Sequence, residues 1–81
     1  MVCEFFLERG TVVPTHQHMH EQSGYVVSGQ VTFTIGDMTQ TLLPGDSYAI
    51  PGDVPHSVTA EEDSVLVEIF SPPREEFRLV R

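Results

Sequence analysis

Basic residues are scarce: 4 Lys and Arg stand against 12 Asp and Glu, a net charge of −8 over 81 residues. That balance argues against nucleic acid, whose binding needs basic patches to displace counterions, and against docking on an anionic membrane surface. A small anionic ligand remains open, because a bound cation reverses the field inside a pocket. Cysteine is scarcer still. Cys3 is alone, so no internal disulfide can form and nothing requires an oxidising compartment. A small apolar residue near a strand start is a plainer role for it than a reactive thiol. No apolar run approaches the length of a membrane span, and the first residues lack the basic and long apolar regions of a signal peptide. The expected compartment is the cytoplasm. Missing too is any breaker-free window long enough for a good helix, a last turn from Glu75 onward excepted.

What is present reads as one small soluble domain over residues 1–81, with 40% hydrophobic and 20% charged residues. A chain this short has a modest core and gains from a metal ion or a second copy. Gly, Pro and Asp punctuate it at short intervals, and the runs between are rich in Val, Thr, Phe, Tyr and Ile, as in an all-β sandwich or barrel. Strands are expected at 4–8, 11–13, 23–28, 30–35, 39–43, 47–50, 56–59 and 64–70. Val31, Phe33 and Ile35 alternate with Gln30, Thr32 and Thr34, and Gly36-Asp37 makes the following hairpin turn. The run Val65-Leu66-Val67-Glu68-Ile69-Phe70 is apolar on both faces except at Glu68. Such a strand is expected to be covered on both sides, by the N-terminal strand or by another subunit, which points to a homodimer.

Three of the four histidines fall in one heptapeptide, HQHMHEQ, from His16 to Gln22. In an extended segment alternate side chains share a face, so His16 and His18 converge on one point and can ligate one ion. Ligands from a few residues on and from a distant strand would complete a site with room for water or substrate. His56 is the remaining imidazole, carried inward by the turn Pro51-Gly52-Asp53-Val54-Pro55. A solvated or adventitious cluster is the alternative.

Gly10, five residues, His16-Gln-His18, then Gln22 and Gly29 resemble the first motif of the cupin superfamily. Gly45-Asp-Ser-Tyr-Ala-Ile-Pro51, ending at His56, resembles the second. The likeness implies a single-domain cupin, a small antiparallel jelly-roll β-barrel with metal ligands in its lumen. Three positions depart from it. Gln22 stands for the usual Glu, Asp53 for the motif's second Gly, and Ala60 for an Asn. Gln offers a neutral carbonyl oxygen, so His16, His18, Gln22 and His56 would leave a bound ion its full positive charge, favouring an anionic substrate and Lewis-acid chemistry. Gln22 could instead be an outer hydrogen-bonding partner of a three-histidine site. His20 is expected at the rim or behind the ligands, and Glu21 toward solvent.

The continuation through Gly24-Tyr25-Val26, Val54-Pro55-His56 and Phe70-Ser71-Pro72-Pro73-Arg74-Glu75 resembles the small cupins of the pectin-degradation protein family. That likeness implies conversion of 4,5-unsaturated monouronates to the open-chain keto form. It implies one divalent metal ion on His16, His18, Gln22 and His56, and catalytic or substrate-binding roles for Glu68, Phe70 and Arg74. Glu68 stands where the family has Asp. As the sole charge in its strand it suits proton transfer, though a Glu on an edge strand can simply face solvent. Phe70 could pack on a sugar ring or only fill the core; Arg74, after a rigid Pro-Pro, could clamp a carboxylate or lie on the surface. Three imidazoles and a carbonyl suit Ni, Zn, Fe, Mn or Cu. Metal-dependent oxygen chemistry and non-catalytic ligand binding are the rival readings.

Overall fold

Eight strands run through residues 1–71, the part of the chain that the computed structural model describes. They are β1 (Val2–Leu7), β2 (Val12–His16), β3 (Glu21–Ser28), β4 (Val31–Ile35), β5 (Met38–Leu42), β6 (Ser47–Ile50), β7 (His56–Ala60) and β8 (Ser64–Ser71). All pairings are antiparallel, in two four-stranded sheets of order β1-β8-β3-β6 and β2-β7-β4-β5. This is the double-sheet jelly roll. The expectation of a closed barrel is corrected: β1 pairs only with β8, β2 with β7, β5 with β4 and β6 with β3, so the two sheets face each other without joining. The expected helical turn after Glu75 lies outside the described residues, and no helix among them is long and apolar enough to cross a membrane.

Alternation builds the core. Val31 and Phe33 of β4, Tyr48 and Ile50 of β6, Val26 of β3, Val58 of β7, Leu42 of β5 and Leu66 of β8 are buried between the sheets. The outer faces differ sharply. On the second sheet, threonine hydroxyls pair across β4 and β5, Thr32 with Thr41 at 3.1 Å and Thr34 with Thr39 at 3.0 Å. On the first sheet the outer face is apolar: Val2 (68% exposed), Phe6 (63%), Tyr25 (46%), Val27 (44%) and Ile69 (49%) surround the half-buried Val65 and Val67. The expected cover of β8 by the N-terminal strand is therefore corrected. β1 lies beside β8, hydrogen-bonded to its edge from Val2↔Ile69 to Leu7↔Ser64, and covers neither face.

Candidate functional site

The site begins with a register. β2 pairs with β7 so that His16 lies directly opposite His56, across an irregularity that separates this pair from Val13↔Val58. β2 ends at His16, and the loop from there to β3 at Glu21 carries His18 back over the same spot. The ring centroids of His16 and His56 are 4.2 Å apart, those of His18 and His56 5.1 Å, and those of His16 and His18 5.6 Å. One ligand nitrogen from each of the three lies within 4.8 Å of the others.

Backbone carbonyls set the tautomers. Nδ1 of His16 donates to Pro14 O at 2.9 Å, Nδ1 of His18 to His20 O at 3.1 Å, and Nδ1 of His56 to Val54 O at 2.9 Å. A carbonyl can only accept, so each Nδ1 carries a proton, and in the neutral ring each Nε2 then presents a lone pair. Nε2 of His56 is buried with no hydrogen-bond partner among the described residues. A buried imidazole with an unused lone pair, beside two others held in the same tautomer, is what a metal ion requires of its ligands. The three histidines fit a divalent ion.

The loop that carries His18 is clamped from the second motif. The N–H of Asp53 donates to His18 O at 2.7 Å. Gly52 presses on Met19, where an added Cβ would meet the carbonyl oxygen at 2.6 Å. Asp53 sits at φ 63°, the left-handed conformation that glycine adopts most readily and that Asp and Asn tolerate better than other residues. The departure from the motif noted at Asp53 thus keeps the motif's backbone.

A cavity of about 130 Å³ opens beside the histidines, lined by His16, Gln22, His56, Glu68 and Phe70 with apolar side chains from both sheets. Gln22 and Glu68 are both buried. The Gln22 amide Nε2 donates to Glu68 Oε2, and the Tyr48 hydroxyl donates to that same oxygen at 2.7 Å. Phe70 is buried at the cavity wall, its ring 6.2 Å from that of His18 and 6.5 Å from that of His20. His20 lies half-buried at the margin, with its ring 5.4 Å from His18, and its backbone carbonyl orients the His18 ring. Glu21 faces outward. Arg74 lies outside the described residues.

Tyr48 is the functional-site residue that sequence reasoning missed. Its alternation with Ile50 marks it as buried, but nothing local says that it touches Glu68. Burial first, and then the charge and hydrogen bond of Glu68, push the Tyr48 hydroxyl well above the usual phenol range, so it stays a donor. The unfolded chain releases this proton near pH 10 and the folded protein keeps it. Stability therefore falls above that pH by about 1.4 kcal/mol per unit. Denaturant titrations at pH 9, 10 and 11 should show the fall, and Tyr48→Phe should remove this component.

A profile of the Cupin_2 cupin domain family matches residues 4–71. The chain is 37% identical over 79 residues to the pectin degradation protein KdgF of Dickeya dadantii, covering 95% of this chain and 71% of that protein. It is 40% identical over 60 residues to the H2HPP isomerase of Bacillus subtilis, covering 73% of this chain but only 25% of that protein. The structure of KdgF from Halomonas sp. superposes with a TM-score of 0.91 at 35% identity, over 96% of this chain and 73% of that one.

Proposed function

The chain belongs to the cupin domain family, and from that premise we propose that it is a metal-dependent isomerase of unsaturated monouronates. The observation that carries this reading is the buried side chain of Glu68, which lines one small cavity together with His16 and His56 of a three-histidine cluster. The likeness to the two KdgF proteins, one of them named for pectin degradation, supports the substrate class. The cavity of about 130 Å³ is well below the 300–1,000 Å³ of drug-sized ligand pockets, which suits a single sugar acid.

Nε2 of His16, His18 and His56 and the Gln22 carbonyl oxygen would hold the ion. All four ligands are uncharged, and the ion when bound supplies a full positive charge and Lewis acidity for the substrate's oxygens. Glu68 moves the proton. It takes the proton from the anomeric hydroxyl as C1=O forms and the C1–O5 bond breaks, which leaves an enolate over O5, C5 and C4. It returns the proton to C4, and C5 becomes the ketone. Proton and electrons balance within the substrate, so no oxidant is consumed. Phe70 walls the cavity against water, and Arg74 pairs with the substrate carboxylate.

The test is to incubate the metal-loaded protein with an unsaturated monouronate from a pectin or alginate lyase and follow loss of the C4=C5 signal by proton NMR, with an oxygen electrode alongside. Conversion to the keto acid without oxygen uptake is expected. Oxygen consumption would favour an oxygenase, and binding without turnover a sensor.

We also propose that the protein is a homodimer through the outer face of the first sheet. That face measures roughly 19 by 20 Å by strand spacing and rise, the size of the largest apolar patch on a typical monomer, which is often functional. Its exposed side chains are mainly Val2, Phe6, Tyr25, Val27 and Ile69, with Glu4 and Glu21 toward its margins. For a chain of charge −8, a face with few charged side chains keeps local repulsion between two copies low. The wild type should sediment at twice its 9.0 kDa chain mass. Val67→Glu, which places a charge mid-face, should sediment as a folded monomer. A wild type that is monomeric at micromolar concentrations would sink this assignment.

A further inference from the structure

One cross-strand row of the first sheet is unusual. Tyr48 of β6, Gly24 of β3 and Glu68 of β8 are register partners on the inner face. A phenol on β6 must pass over β3 to reach a carboxylate on β8, a lateral distance of about 9.6 Å between the outer strands. Any side chain on β3 would stand in its path. A Cβ added at Gly24 would lie 2.8 Å from the Tyr48 hydroxyl oxygen and would collide with the carbonyl oxygen of Val67. Glycine inside a strand weakens it and marks a close approach; here the approach is that of Tyr48 to Glu68. The ring is held from its other side by Phe33, with centroids 4.4 Å apart.

The consequence reaches Gln22. Glu68 Oε2 accepts from both Tyr48 and Gln22. A carboxylate oxygen offers no donor, so the amide must present its NH₂ to Glu68. Oε1 is then the atom left for a cation. We propose that Tyr48 is a positioning residue: reaching through the gap left by Gly24, it fixes the Glu68 carboxylate, and Glu68 in turn holds the Gln22 amide with its carbonyl oxygen free to bind the ion. This rests on the assignment of Gln22 as a ligand made above.

The test needs no substrate. Co²⁺ is titrated calorimetrically into metal-free wild type, Tyr48→Phe, Gln22→Ala and the double variant. Tyr48→Phe keeps the ring and its packing on Phe33, so the fold stands. Loss of an outer partner of a metal ligand typically costs about 10- to 100-fold in affinity, and that loss is expected for Tyr48→Phe. Because Tyr48 acts through Gln22, adding Tyr48→Phe to Gln22→Ala should cost nothing further. Wild-type affinity in Tyr48→Phe, or the same loss with and without Gln22, overturns the proposal. Wild-type affinity in Gln22→Ala overturns the ligand assignment as well. A wild type that binds Co²⁺ but turns over no uronate removes the substrate reading and leaves this one standing.

Discussion

Glu68→Gln is expected to lower kcat on an unsaturated monouronate by about 10²- to 10⁴-fold, the contribution of a positioned general acid–base. KM and metal content should hardly change. The substitution is nearly isosteric, and the new amide oxygen can still accept from Tyr48 and from Gln22, which both reach Oε2 in the wild type. Tyr48 and Gln22 both keep their acceptor and the new NH₂ lies at the cavity that Glu68 lines, so the melting temperature should stay close to wild type. Glu68→Leu makes the contrast. It leaves the Tyr48 hydroxyl and the Gln22 amide unpaired inside the protein, at about 1–3 kcal/mol for each group. That variant should lose both turnover and several degrees of melting temperature. Comparing the two separates the proton-transfer role of Glu68 from its place in the buried polar row. Wild-type kcat in Glu68→Gln would remove it from the chemistry.

His56→Ala should have the largest effect on stability in the presence of metal. For wild type, an ion at 1,000 times its dissociation constant contributes about 4.1 kcal/mol. At about 4–8 °C per kcal/mol for a domain of this size, the melting temperature should rise by roughly 16–33 °C. His56 is 4% exposed, its Nδ1 is anchored on Val54 O, and its Nε2 has no partner among the described residues. Removing it takes out the one imidazole that β7 brings to β2. The metal-induced rise should collapse to a few degrees in His56→Ala, read by differential scanning fluorimetry with and without a chelator. An equal rise in both proteins would place the ion elsewhere.

Much of this was legible before folding because the signals are local. The alternation of Val31, Phe33 and Ile35 marks β4, the Gly36-Asp37 turn marks the hairpin, and the breakers around residues 44–46 and 51–55 isolate β6. The convergence of His16 and His18 follows from parity, and His56 from the turn that delivers it. What stayed hidden depends on strand order. Nothing in residues 64–70 says that β1 lies beside β8 and not over it. The outer face of Val65, Val67 and Ile69 reads as covered for that reason, though it is open within one chain. Tyr48 and Glu68 are 20 residues apart and meet only because β3 lies between β6 and β8 with a glycine in the shared row. Gly24 carries the hint, since a glycine inside a strand asks what comes close to it. Its neighbours are known only once the sheet is assembled. The open sheets have the same cause: no local pattern states whether edge strands such as β1 and β2 pair.

Turnover should require a divalent ion held by His16, His18, Gln22 and His56. The most direct measurement is ketonisation of an unsaturated monouronate by one preparation, assayed as purified, after complete chelation, and after one equivalent of divalent metal is restored, with metal content determined at each stage. One ion per chain, loss of activity with the ion, and recovery with its return are expected. Full activity in metal-free protein would contradict that requirement.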